Sequence, residues 1–112
     1  MSDEKLNDAD TVIACCAVAG CTHTAFFTRY ARGEPVTYAR RLAVEVFQQD
    51  GRNLDDIAEA CGWRSPASPM HIRDACKIER RGSAAYMEKI TGDAARAIDL
   101  SRRVTKNGGV LR

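Results

Sequence analysis

Residues 54–78 read LDDIAEACGWRSPASPMHIRDACKI: a helix, a tight turn and a second, basic helix. Ile57, Ala58 and Cys61 recur at helical spacing and are expected to face inward. Gly62 stands where a helix ends in the left-handed conformation, which a residue without a Cβ adopts at low cost. Beyond the turn come Arg73, Lys77, Arg80 and Arg81, preceded by Pro66 and Pro69. A helix-turn-helix has this pattern, and its second helix enters the DNA major groove. An ordinary αα-hairpin inside a small helical domain has it too.

The start of the basic helix turns on Pro69. Were Ser65 the cap, Pro69 would stand in the fourth helical position, where its ring and missing N–H both cost stability. Ser68 as cap and Pro69 as first residue avoid this. Residues 63–67 are then an extended turn. Ile72, Ala75 and Cys76 face inward and share their side with Glu79, while Arg73, Lys77 and Arg80 lie on the other.

Outward from this segment every signal is helical. A first helix, apolar nearly all round and therefore central, runs from about Asp10 to Ala19 and stops at Gly20. Thr22 caps a short second helix carrying Phe26, Phe27 and Tyr30, ending near Gly33. Pro35 opens a third, whose buried stripe is Ala39, Leu42, Ala43, Val46 and Phe47. Arg40 and Arg41 lie off that stripe. Asn53 caps the helix that begins at Leu54. Ser83 caps a last helix with Tyr86, Ile90, Ala94, Ala97, Ile98 and Val104 on one face, which Gly92 is expected to kink or interrupt. No alternating β-branched run is present. The expected architecture is an all-α bundle of about six short helices around one core, in line with a chain of 112 residues. Residues 1–10 are expected to form an acidic, disordered tail, residues 11–104 the folded domain, and residues 105–112 a flexible tail.

Charge is unevenly spread. Residues 1–10 hold one lysine against four acids, and the rest of the chain 16 basic against 11 acidic groups. Residues 29–41 carry four arginines against Glu34, and residues 64–81 five basic groups against Asp74 and Glu79. Between them residues 50–59 are acidic. Two basic patches flanking an acidic helix suit a molecule with one face for polyanions; solvation of a helical surface explains them equally well. The longest apolar run, residues 12–21, is far short of the roughly 18 residues of a membrane span and follows an acidic segment, unlike a signal peptide. A cytoplasmic, nucleoid-associated protein is expected.

Five cysteines without a CxxC pair fit neither a disulfide framework nor a zinc site, and read as small buried hydrophobes. No nucleophile, base and orienting group can be assembled from Cys21 with His23, or from His71, so no enzyme is expected. No GxxxxGK[ST] occurs, so no nucleotide is expected either. No cofactor or metal is called for. The last helix lacks a sustained heptad, which favours a monomer or weak homodimer.

With its helices in this order, the chain resembles the C-terminal DNA-binding domain of the bacterial replication initiator DnaA, a Trp-repressor-like helix-turn-helix. Residues 12–30 resemble that domain's opening helices and basic loop. ARRLAVEVF (39–47) resembles its long helix, which opens Pro-Arg-Gln. NLDDIAEACGWR (53–64) resembles its Leu-Pro-Glu-Ile-Gly segment ending Phe-Gly-Gly-Arg, and DACKIE (74–79) its His-Ala-Cys-Arg-Lys-Ile segment. The resemblance implies a sequence-preferring binder of double-stranded DNA, and the missing GxxxxGK[ST] makes a regulator of transcription or replication without that family's ATPase activity the expectation.

Carried over residue by residue, it makes Arg40 a minor-groove contact and Arg29 and Arg32 phosphate contacts, and Arg64 matches the signature arginine. Arg41 and Lys77 join them as basic neighbours. Where the family reads Asp-His-Thr-Thr, this chain has Ser65, Pro66, Ala67 and Ser68 in a slightly longer segment. Proline and alanine offer no side-chain hydrogen bond to a base. Ser65, Ser68, His71 and Arg73 are therefore the candidates for a different readout. Trp63 replaces the second glycine and either packs under the turn or lies against the sugar–phosphate backbone. A module that keeps the fold but binds a protein, through the side bearing Asp55, Asp56 and Glu59, is the alternative.

Overall fold

The computed structural model describes residues 6–28 and 33–106, and of residues 78–82 the backbone only. It is an all-α bundle of six helices, with no strand among the described residues. In order these are α1 (Asp8–Ala19), α2 (His23–Phe27), α3 (Glu34–Gln49), α4 (Leu54–Ala60), α5 (Ala67–Gly82) and α6 (Ala84–Lys106).

The apolar α1 is central, as its lack of a polar face requires: it packs mainly against α6 and α3. Val12, Ala14, Cys15 and Cys16 are all buried. The whole expected stripe of α3 is buried with them, as are Ile57, Ala58 and Cys61 of α4. Phe26, Leu42, Phe47, Ile57 and Ile90 are the largest fully buried side chains.

The chain ends depart from expectation. α1 begins two residues early because Asn7 caps it, its side chain accepting the Asp10 N–H at 3.0 Å. Leu6 is buried, and Arg52 donates to the Leu6 carbonyl and pairs with Asp8, tying this end to the α3–α4 turn. Residues 6–10 therefore belong to the fold, not to a disordered tail. At the far end Thr105 lies in α6 and its hydroxyl donates to buried Asp10 at 2.6 Å, so the domain extends past residue 104. Residues 107–112 of the expected C-terminal tail lie outside the described residues.

Smaller corrections follow the same logic of caps and burial. α2 stops at Phe27, with Thr28 as its C-cap, and Tyr30 lies outside the described residues. α3 starts at Glu34, which puts Pro35 second, still within the turn whose amides have no helical partner. α5 starts at Ala67 rather than Pro69. Pro69 is then its third residue, where an N–H would have no intrahelical acceptor, and the Ser65 hydroxyl oxygen accepts the Ala67 N–H at 3.1 Å. α6 runs through Gly92 without a break. Buried Ile90, Asp93 and Ala94 hold both sides of that position, which outweighs the roughly 1 kcal/mol a helical glycine costs.

The inner face of α6 is more polar than its apolar pattern suggests. Asp93 and Ser101 are buried on it. Ser101 meets Thr11 oxygen to oxygen at 2.9 Å, and Asp93 accepts from Tyr38 of α3 at 2.6 Å and pairs with Arg96. Asp93 and Ser101 thus each have a partner, as burial demands.

Candidate nucleic-acid interface

The end of α2, Arg40 of α3, the turn after α4 and the start of α5 enclose a cleft of about 660 Å³. Arg40, Arg64, Ser68 and His71 line it, so four of the ten candidates come together here. A second, much smaller groove of about 40 Å³ lies between α3 and α5. It collects Arg41, Arg73 and Lys77 with Val44, Glu45, Gln48 and Cys76. α5 separates the two: Ser68 and His71 flank it on one side, Arg73 and Lys77 on the other. Ser65 lines neither; it is exposed in the turn, and its hydroxyl oxygen is engaged at the start of α5. Arg29 and Arg32 lie outside the described residues.

Arg40 has a task the sequence did not reveal. Its Nη2 donates to the carbonyls of Phe26 and Thr28, each at 3.0 Å, and approaches that of Ala25 at 3.4 Å. The Ala25 carbonyl also accepts the Thr28 N–H at 3.2 Å, and all three carbonyls lie at the end of this five-residue helix, where a cation meets the negative end of the helix dipole. A minor-groove contact would have to come from the rest of the guanidinium or draw this nitrogen away from them.

Trp63 packs rather than projects. Its ring stacks on buried Phe26, 6.3 Å between centroids and 16° between planes. Phe27 is 44% exposed and sits edge-on to both His23 and Phe26, at 4.9 and 5.2 Å. Gly62, at φ +73°, lies where a Cβ would come within 3.2 Å of the Phe27 ring. The neighbouring aromatics Phe26 and Phe27 were the signal for this wall: two successive residues of one short helix cannot both point into the core.

Around the second groove Arg73 pairs with Asp74 at 3.3 Å, a surface contact of small energetic weight. Tyr86 of α6 lies 3.6 Å from the Cys76 sulfur. Burial and this contact push the tyrosine pKa up to about 12, although Arg41 beside it pulls the other way. Lys77 is exposed, whereas Arg41 and Arg73 are half-buried. Among the described residues no group of three His, Cys, Asp or Glu side chains could hold a metal ion, and no helix is long and apolar enough to cross a membrane.

No known protein family, characterised protein or solved structure matches this chain.

The cysteines behave as packing groups. Cys15, Cys16, Cys61 and Cys76 are buried and Cys21 is half-buried. Burial, reinforced by neighbouring thiols, raises Cys15 well above an ordinary thiol and Cys16 to about 12. Burial and the Asp8 charge raise Cys61 likewise to about 12. A thiol so held carries almost no thiolate at neutral pH, and the thiolate is the nucleophile.

Proposed function

We propose that this chain binds double-stranded DNA with sequence preference, as a regulator of transcription or replication without ATPase activity. α4, the turn and α5 act as the helix-turn-helix, and α5 enters the major groove. The observation that carries this reading is the clustering of basic side chains along both flanks of α5. Arg64 and His71 stand on one side, and Arg73 and Lys77, with Arg41 of α3, on the other. A helix with cations on both flanks can meet the phosphates on either side of a groove while its outward edge reads bases. On that edge His71 and Asp74 are exposed, and a carboxylate there accepts from cytosine N4. Phosphate contacts would come from Arg64, Lys77 and Arg41. Base contacts would come from His71 and Asp74 on the edge, and from Ser68 and Arg73 to its two sides.

One observation favours a protein partner instead: Asp55, Asp56 and Glu59 are all exposed on α4, a face that repels phosphates. The deciding experiment is selection from a pool of random duplexes, followed by titration of the enriched sequence across salt with Lys77→Ala and Arg73→Ala alongside. An enriched motif whose affinity falls steeply with salt supports the DNA reading. Lys77→Ala should then flatten the salt slope by about 1, and Arg73→Ala should relax the motif. No binding at low salt would transfer the acidic face of α4 to the leading position.

A further inference from the structure

The cleft beside α5 has a chemistry of its own. At about 660 Å³ it falls within the size range of clefts that enclose small organic ligands. Phe27, Trp63 and Ile72 make an apolar wall, with Phe26 buried behind the Trp63 ring. Arg40 and Arg64 are its cations, His71 adds an imidazole, and among the described residues no carboxylate lines it. Gly62 adds bare backbone to the wall, at a point where a Cβ would press on the Phe27 ring. A lining with cations and no acid favours an anion, and its aromatic surface favours a flat body.

We infer that the cleft binds a planar aromatic acid: one or two fused rings carrying a single carboxylate. The rings lie against Phe27 and Trp63. Arg64, exposed beside the turn, takes the carboxylate through the paired N–H donors that a guanidinium presents to two oxygens. Ser68, half-buried in the same lining, supplies a hydroxyl to the carboxylate edge. Arg40 adds its charge to the field of the site, while its Nη2 serves the carbonyls of α2. The inference does not rest on DNA binding, because the cleft is the same in a chain that binds none. If both hold, the ligand takes Arg64 and Ser68, which the duplex would also use, so an occupied cleft would weaken DNA binding at the first turn of α5.

The test is an NMR titration of the full isotope-labelled chain with three probes: 2-naphthoate, its neutral isostere 2-naphthamide, and inorganic phosphate. Trp63 is the chain's one tryptophan, so its indole N–H gives a single signal from the cleft wall. The expected result is that 2-naphthoate moves the Trp63 indole and the amides of Gly62 and Ile72, at least tenfold more tightly than 2-naphthamide, while phosphate leaves them in place. Arg64→Gln should bring 2-naphthoate down to the level of the amide. Phe27→Ala, which truncates an exposed ring, should weaken both aromatic probes. The proposal is overturned if 2-naphthoate leaves these signals unmoved, if the amide binds as well, if phosphate shifts the same signals, or if Arg64→Gln changes nothing in an otherwise unaltered spectrum. None of these readouts contains DNA, so the duplex selection stands or fails separately.

Discussion

The Tyr38 hydroxyl donates to Asp93 Oδ2 at 2.6 Å inside the interface of α3 and α6. Tyr38 is 6% exposed and Asp93 4%, and Arg96 covers the other carboxylate oxygen. Lys89 stands over the Tyr38 ring at 4.3 Å. A carboxylate in an apolar seam is tolerable only with such partners, so this pair both joins the helices and fixes their register.

Its stability contribution depends on pH. Burial alone would raise the Asp93 pKa, but the Tyr38 hydroxyl and Arg96 more than reverse this, leaving it below the ordinary value of 3.8. An acid whose pKa falls on folding stabilises the fold above its unfolded value, and that contribution is lost as pH drops through the folded value. Asp93→Asn should therefore cost about 1–3 kcal/mol at neutral pH, and the difference from wild type should shrink below about pH 4. Urea melts at pH 7, 5 and 3 measure it. A gap that is unchanged at pH 3 would show that the charge of Asp93 is not what stabilises the seam.

Arg40 separates a structural role from a DNA contact. Arg40→Ala removes a charged donor from the end of α2 and should lower stability by about 1.5–3 kcal/mol in the absence of any DNA. Thermal melts of the free protein decide this. Unchanged stability together with weakened DNA binding would restore the minor-groove role.

At Gly62 two effects add: the left-handed backbone and the 3.2 Å approach to Phe27. Gly62→Ala should cost about 1–2 kcal/mol from the backbone alone, and Gly62→Asn less, since asparagine visits that region more readily. The order of the two melting temperatures is the test. Alanine at or above asparagine would count against a left-handed turn.

Thiol chemistry should follow burial. With iodoacetamide at neutral pH the native chain should add one label quickly, at half-buried Cys21, and the remaining four only on unfolding. Mass spectrometry before and after urea reads this directly. Rapid labelling of Cys15, Cys16 or Cys61 in the native protein would contradict the packing described for α1.

Much of the helical plan could be read from local rules. Asn53 and Thr22 accept from their own helix amides, at 2.9 and 3.0 Å, as their cap positions demand. The stripe from Ala39 to Phe47 is buried throughout. Pro69 misled because its cost depends on depth in the helix: the third position has no intrahelical bond to lose, while the fourth does. Residues 6–10 misled because acidity suggests solvent, yet Asn7 caps and Asp10 is tied to Thr105, far along the chain.

The amino-acid sequence by itself determined the all-α class, most helix boundaries, the buried stripes and the concentration of basic residues around α5. All of these follow from spacing within a few residues, where caps, periodicity and fixed dihedrals act. Only the tertiary structure decided which cations share a cleft, that Arg40 turns to the carbonyls of α2, and that Tyr38 and Asp93 meet across 55 positions. Those outcomes depend on how the helices pack. A side chain's partner is then set by the element opposite it, about which its own neighbours in sequence carry no information.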